Sequence, residues 1–584
     1  MKKRLSWLLV IPMSLLLLIS TLPGTTFAKD WDMNYSNYRQ VATGLDGMVA
    51  TAHPLASKVG ADVLAKGGNA IDAAVAIQFA LNVTEPMMSG IGGGGFLMYY
   101  DAKTNETQIV NSRERAPAGA TPDMFLNEKG EPIPFQERVT GGNSVGVPGT
   151  LKGLEEALSN WGTLPMEELI EPAIELARDG FLVDSVLAKA IEDHKDILAF
   201  KEAGNIFVPN GKPLREGDLL VQKNLANTFE LIKLQGTDVF YKGEIAEAIA
   251  KAVQQYGGTM TAEDLSSYAI TMDKPIWGDY KDYQIASMPP PSSGGVFLLQ
   301  MLGILDGFDL SQYDVKSWQK YHLLAETMHL AYADRATYAG DPDFVDVPLK
   351  GLLHPDYIQQ RRNLISLETM MKKPEAGNPW DYENKKVETA NITQPTDNKL
   401  GETTHYSVTD QWGNVVSNTT TIEQLFGSGI MVPEYGIILN NELTDFDAVP
   451  GGANQVEPNK RPLSSMTPTI VFKDGKPVLS VGSPGGPTII TSVLQTILHS
   501  IEYDMELKAA VEEPRIYTNS TASYRYENGI PEEAMNHLRM LGHQFGEKHT
   551  TIGNVQSIFI DQKEGTYKGV ADSSRNGAAI GITK

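Results

Sequence analysis

Apolar residues recur at helical spacing along 70–81, 150–161, 165–179, 222–235 and 243–256, each with glycine or proline near an end. The first of these stretches is apolar on nearly every face and follows Asn69, a residue suited to a helix cap, so it predicts a buried helix. From Ser57 to about Met370 the pattern is mainly helical, with one exception: the glycines at 92–95 lead into an expected strand over 95–100. Residues 373–402 carry Pro, Asn, Glu, Lys and Thr with little apolar periodicity, which predicts an exposed, mobile segment. Beyond it the pattern turns to β-structure. Strands are expected over 405–409 and 415–422 around Gly413-Asn414, over 435–440, and over 467–472 and 477–481 around Asp474-Gly475, a hairpin signal. A long amphipathic helix over 488–502 follows. Short antiparallel strands in one half, with helices in both, predict an α+β fold and fit two sheets packed between helical layers.

The first residues stand apart. Lys2-Lys3-Arg4 precedes an apolar run from Leu5 to Ile19, interrupted by Pro12 and Ser14, and Thr26-Phe27-Ala28 precedes Lys29. A basic start, a short apolar core and small residues at a cut site predict a secretory signal peptide over 1–28 rather than a membrane anchor. The rest is then expected outside the cell, or in the periplasm where there is an outer membrane. A net charge of −23, from 49 basic and 72 acidic residues, repels nucleic acid and anionic membranes, so neither is an expected partner. The 584 residues include no cysteine, which excludes thiol nucleophiles, zinc thiolates and iron–sulfur clusters. Ser, Thr or a carboxylate remains as the nucleophile.

Glu402 ends the polar stretch, and Thr403-Thr404-His405-Tyr406-Ser407 follows at once. If the bond before Thr403 is cut, that residue gains a hydroxyl nucleophile and an α-amine whose reference pKa, about 7.7–8.0, lets it act as the base. Thr pairs are common strand formers, so the residues beyond decide the reading. They are Thr419-Thr420-Thr421-Ile422-Glu423, Asn440-Asn441-Glu442-Leu443-Thr444-Asp445, Arg461-Pro462-Leu463-Ser464-Ser465-Met466 and Gly482-Ser483-Pro484-Gly485-Gly486. Upstream stand His53-Pro54-Leu55-Ala56-Ser57, Gly67-Gly68-Asn69-Ala70-Ile71-Asp72, Gly92-Gly93-Gly94-Gly95-Phe96 and Ser112-Arg113-Glu114. In this order and spacing, from about Ala50 to the C-terminus, the chain closely resembles the γ-glutamyltranspeptidases, which are N-terminal-nucleophile hydrolases.

The resemblance implies a four-layer αββα sandwich formed jointly by two self-processed fragments, 29–402 and 403–584, cut between Glu402 and Thr403. Spacing alone does not choose between Thr403 and Thr404; the family pattern puts the nucleophile on Thr403. Thr421 matches a second threonine that hydrogen-bonds the nucleophile and assists processing. Gly485 and Gly486 match an oxyanion-hole pair, where bare backbone lets N–H groups approach a substrate oxygen. Arg113 matches the arginine for the donor's α-carboxylate, Ser464 and Ser465 its hydroxyl donors, and Asp445 the acceptor for the α-ammonium, with Glu423 and Glu442 beside it. The implied enzyme cleaves the γ-glutamyl amide of glutathione, glutamine and related donors through a γ-glutamyl-Thr ester. It transfers the group to water or to amino acid and peptide amines, and needs no cofactor or metal.

Two rival functions share these motifs: a β-lactam side-chain (glutaryl or cephalosporin) acylase of the same fold, and an unprocessed γ-glutamyl-binding protein. The acylase is disfavoured because only a zwitterionic acyl group needs both Arg113 and Asp445. Other signals read as structural. The glycines at 92–95 lack the Gly-Lys-Ser/Thr of a phosphate loop. His322, Glu326 and His329 share a helix face without an apparent fourth ligand, so a satisfied packing face is expected. Ser292-Ser293 after Pro289-Pro290-Pro291 starts a helix that could wall the site. Finally, Phe446 to Lys460 holds no Tyr or Trp and is short between Asp445 and Arg461. Family members with a covered site carry a longer insert with an aromatic lid there, so an open site is expected, one that also admits γ-linked glutamate polymer.

Overall fold

A computed structural model describes residues 31–199, 201–383 and 401–584. The expected signal peptide lies outside the described residues, as do positions 384–400 of the polar stretch. Two seven-stranded sheets form the frame. Numbered along the chain, their strands are β1 (Val41–Gly44), β2 (Gly47–Thr51), β3 (Gly94–Asp101), β4 (Glu106–Asn111), β5 (Thr271–Asp273), β6 (Ile276–Tyr280) and β7 (Tyr283–Ser287). After the Glu402–Thr403 bond come β8 (Thr404–Asp410), β9 (Val415–Thr421), β10 (Thr469–Lys473), β11 (Lys476–Gly482), β12 (Gln556–Asp561), β13 (Thr566–Ala571) and β14 (Ala578–Ile582). One sheet runs β1-β13-β12-β11-β10-β7-β6 and the other β14-β2-β8-β9-β3-β4-β5, with every neighbouring pair antiparallel.

The inward faces of the two sheets meet in one apolar layer: Met48, Ala50, Phe96 and Met98 from the second sheet against Ile470, Phe472, Ile558 and Ile560 from the first. Helices cover the outer faces. On the second sheet lie α1 (Pro54–Ala65) and α2 (Ala70–Thr84), the latter buried along its whole length as its unbroken apolar pattern predicts. Asn69 and Asp72 close a capping box at its start. On the first sheet lie α3 (Gly294–Leu305) and α5 (Ile489–Ile501), with α4 (Trp318–Tyr338) packed against α3, all sharing a core with Ile285, Val471, Leu479 and Val481. The fold is therefore an α+β sandwich of four layers, αββα.

Two expectations need correction. Residues 57–370 are mainly helical as expected, but the strands are not confined to the later half: the part before Glu402 supplies β1 to β7, which interleave with later strands in both sheets. Its strands are short, and β1 and β5 show little apolar alternation because they are edge strands with few buried positions. Nor is 435–440 a strand: Glu434 (φ 68°) and Gly436 (φ 66°) turn the chain in the left-handed region, leaving one bridge between Met431 and Ile438. Asn440 then bonds Gly92, with its N–H donating to the carbonyl at 3.1 Å. The polar face of α4 is buried and satisfied, and His543 joins it, 2.8 Å from His322.

Candidate active site

β8 and β9 form a hairpin with Thr404 opposite Thr420, a register that carries Thr403 opposite Thr421 at the open end. Thr403 lies one residue before the ladder and is buried. Its hydroxyl donates to Thr421 Oγ1 at 3.2 Å, and the Thr421 hydroxyl donates to the Glu402 carbonyl at 2.7 Å. The backbone N–H of Glu423 donates to the same Thr421 oxygen at 2.8 Å. Glu423 reaches this position with φ 77°, in a region that costs a non-glycine residue about 1–3 kcal/mol. Its carbonyl accepts the Glu402 N–H at 2.6 Å, so both sides of the Glu402 residue are held. The Thr404 hydroxyl points elsewhere, donating to Glu85 at 2.7 Å. Of the pair, Thr403 is the one beside the Glu402–Thr403 bond's own hydrogen-bond network.

A cleft of about 370 Å³, including space open to solvent, lies against Thr403 and brings together Arg113, Thr421, Glu423, Glu442, Asp445, Ser464, Ser465 and Gly486. Arg113 follows β4 and is fully buried. Its guanidinium donates to Glu442 Oε1, to Asp445 Oδ2 at 2.6 Å, and to the carbonyls of Pro462 (3.1 Å) and Leu463 (3.0 Å). Glu442 and Asp445 begin and end one short 3₁₀ turn, which aims both carboxylates at the same guanidinium. Ser464 is fixed by α3's leading loop: its N–H donates to Pro291 O at 3.0 Å and its carbonyl accepts the Ser293 N–H at 2.8 Å. The serines after the proline run thus stand behind the wall of the cleft.

Gly485 (φ 127°) and Gly486 (φ 55°) both need the conformations glycine adopts freely. A Cβ on Gly486 would meet the Gly401 backbone, so the uncut chain lies directly against Gly486. Gly485 does not itself line the cleft. Among the glycines at 92–95, Gly94 leaves the room that the Glu114 carboxyl occupies, which makes the run a packing device.

One arginine faces several buried carboxyls here. Burial opposes the charge of Arg113, but Glu442, Asp445 and Glu114 outweigh it and hold its pKa above the usual range. Burial pushes Glu423 well above the carboxylate range, reinforced by Asp445 and Glu442, and does the same to Glu442 against the pull of Arg113. Burial raises Glu114 to about 7. Both Glu114 oxygens and Glu442 Oε2 lack a hydrogen-bond donor, and the proximity of the two carboxyls helps to raise Glu442. Burial thus disfavours the charged forms of Glu423, Glu442 and Glu114, and Arg113 opposes that effect on Glu442 and Glu114.

Sequence motifs missed four contributors. Arg335 lines the cleft and donates to Ser465 Oγ at 3.0 Å and Ser293 Oγ at 2.8 Å, yet in sequence it is a basic residue in the last turn of a helix. Glu114 was read only as a neighbour of Arg113. Arg575 donates to Glu402 Oε2 at 2.8 Å and to the Thr403 carbonyl at 3.1 Å. Glu85 holds Thr404 and lies 3.9 Å from Arg575. The last two had no local signal.

An αββα frame with a threonine at a strand start, its hydroxyl beside the preceding carbonyl, defines the N-terminal-nucleophile hydrolase class. A profile described as Gamma-glutamyltranspeptidase matches residues 56–582. The chain belongs to the γ-glutamyltranspeptidase family. It is 67% identical over 582 residues to the "Glutathione hydrolase proenzyme" of Bacillus subtilis (strain 168), covering 100% of this chain and 99% of the relative. Among solved structures, a cephalosporin acylase from Bacillus halodurans superposes with a TM-score of 0.82 at 28% identity, over 93% of this chain and 97% of that one. A γ-glutamyltranspeptidase chain from Helicobacter pylori does so at 0.55 with 39% identity, over 57% of this chain and 97% of its own. Among the described residues, no helix is long and apolar enough to cross a membrane.

Proposed function

We propose that the chain is a self-processing γ-glutamyltransferase and glutathione hydrolase with Thr403 as nucleophile. The Thr403 hydroxyl attacks the Glu402 carbonyl, the acyl group passes from nitrogen to oxygen, and water hydrolyses the ester. A signal peptide over 1–28 is removed on export, and fragments 29–402 and 403–584 stay together as a heterodimer. In the mature site Thr403 attacks the γ-amide of glutathione, glutamine or a related donor, its own α-amine serving as base. Arg113, Ser464 and Ser465 receive the donor's α-carboxylate, and Asp445 with Glu423 and Glu442 its α-ammonium. Gly485 and Gly486 receive the oxyanion. Water, an amino acid or a peptide amine then takes the γ-glutamyl group.

The observation that carries this reading is the Thr421 hydroxyl, which links the Thr403 hydroxyl to the Glu402 carbonyl beside a cleft built for a zwitterion. An acylase for non-zwitterionic side chains has no use for three carboxyls around one arginine, and the 67% identity to a glutathione hydrolase proenzyme supports the same choice. N-terminal sequencing of the smaller fragment tests it. Thr at its first position, with hydrolysis of a γ-glutamyl anilide, is expected; an uncut, inactive chain would overturn the proposal.

The donor site is open to solvent. Support comes from Phe446 and Val456, which pack under the surface with Ala116, Ala120 and Phe125, while none of the described residues 446–460 lines the cleft. An open site admits the ends of γ-linked glutamate chains, and admits water to the acyl-enzyme when amines are scarce.

A further inference from the structure

Arg575 is not among the residues lining the donor cleft, yet its guanidinium lies within a residue's span of the nucleophile, donating to the Thr403 carbonyl at 3.1 Å. Its other bond, at 2.8 Å, is to the Glu402 side-chain carboxylate. The Glu402 side chain is 31% exposed, so the Arg575–Glu402 pair meets solvent. The donor's own carboxylate has Arg113, whose bonds all go to the cleft side. Arg113 and Arg335 thus line the cleft beside Thr403, and Arg575 lies outside it against the Thr403 backbone.

In a γ-glutamyl amide the acyl half fills the Arg113 side, so the Arg575 side faces what is attached to the nitrogen. By microscopic reversibility the leaving amine and an incoming amine occupy the same place. We infer that Arg575 binds the carboxylate of that amine component, an amino acid or short peptide, and that Glu402 in the uncut chain stands in for it. The inference rests on the transferase reading above. Once the 402–403 bond is cut, no covalent link keeps the Glu402 carboxylate on Arg575, and a substrate carboxylate can replace it. Glu85, 3.9 Å from Arg575 and held by Thr404, is the nearby group that would oppose a second anion; burial raises its pKa, which weakens that opposition. With its carboxylate on Arg575, the acceptor's amine nitrogen attacks the ester carbonyl. The new C–N bond replaces the C–O bond to Thr403, and the amine's proton passes by the α-amine to the Thr403 oxygen.

The test compares glycylglycine with glycylglycinamide as acceptors, using a γ-glutamyl anilide donor and correcting for the fraction of free amine. Wild type is expected to favour the free carboxylate in transfer kcat/KM by roughly ten- to a hundred-fold, the value of a hydrogen bond to a charged group. Arg575→Gln, assayed per cut active site, should bring the ratio near one, and Arg575→Lys should fall between. Equal use of the two acceptors by wild type, or an undiminished preference in Arg575→Gln, overturns the inference. Should Arg575→Gln remain uncut, the wild-type ratio and Arg575→Lys decide: a Lys variant with the full wild-type preference would also overturn it. Anilide hydrolysis without acceptor reports separately on the γ-glutamyl reading.

Discussion

Replacing Thr421 by valine removes one hydroxyl and keeps a β-branched side chain of nearly the same shape, so the β9 ladder opposite Gly94 should persist. Three hydrogen bonds disappear: from Thr403 (3.2 Å), from the Glu423 N–H (2.8 Å) and to the Glu402 carbonyl (2.7 Å). The last has the largest kinetic effect, because the Glu402 oxygen becomes the oxyanion when Thr403 attacks. Losing one preorganised donor of this kind slows a reaction by about 10²–10³, or roughly 2.7–4 kcal/mol of barrier. The buried Glu423 N–H, left without its acceptor, costs a further ~1–3 kcal/mol of stability. The assay follows conversion of one band to two on denaturing gels, with melting temperature recorded on the same samples. Thr421→Ser keeps the hydroxyl and should mature within a few-fold of wild type. Maturation of Thr421→Val within tenfold of wild type, or a serine variant as slow as valine, would refute the assigned role.

Arg113→Lys keeps the charge but loses the fork that reaches Glu442, Asp445 and two carbonyls, and should lower kcat/KM for a γ-glutamyl anilide by roughly ten- to a hundred-fold; unchanged kinetics would argue against the pocket. Burial raises the pKa values of Glu423 and Glu442, so both gain charge as pH rises, and donor KM should fall with rising pH; Glu423→Gln should flatten that profile. Glu114 binds its proton more tightly folded (about 7) than unfolded (4.5), so its contribution to stability is complete below the lower value and is lost as pH rises towards the higher one. At 1.36 kcal/mol per pKa unit this is about 3 kcal/mol, and Glu114→Gln should shrink the difference in melting temperature between pH 5 and pH 8. Free glutamate should be released from γ-linked glutamate oligomers of increasing length; activity confined to glutathione-sized donors would defeat the open-site reading.

The hairpin of β8 and β9 was legible because its alternation and Gly413-Asn414 turn are local, and its register then carries Thr421 to Thr403. Arg113, Asp445, Ser464 and Ser465 were legible through motif order, and the cleft gathers them. Arg335 and Arg575 were not legible: each meets the site only through contacts far away in sequence, Arg335 with Ser465 and Arg575 with Glu402. The strand expected over 435–440 failed for a related reason. Its apolar run is buried, but against loop backbone at Gly92 and Ile430 rather than in a ladder.

The cut proposed before Thr403 falls at a place in the topology where one bond could be lost without the fold. β8 lies between β2, from before the cut, and β9, from after it, and its ladder begins at Thr404. Cleavage before Thr403 would therefore free the nitrogen proposed as the base and break no β8 ladder bond. The strand start keeps Thr404 fixed by Glu85 while Thr403 stays at the edge of the cleft. Separating the fragments, in contrast, would open both sheets and expose the apolar layer between them at about 25 cal/mol per Å². A cut placed earlier in the polar stretch would put the new amine on a residue other than the one whose hydroxyl meets Thr421. The strand edge is thus the position where the proposed processing would yield a nucleophile and a base together and leave the shared core intact.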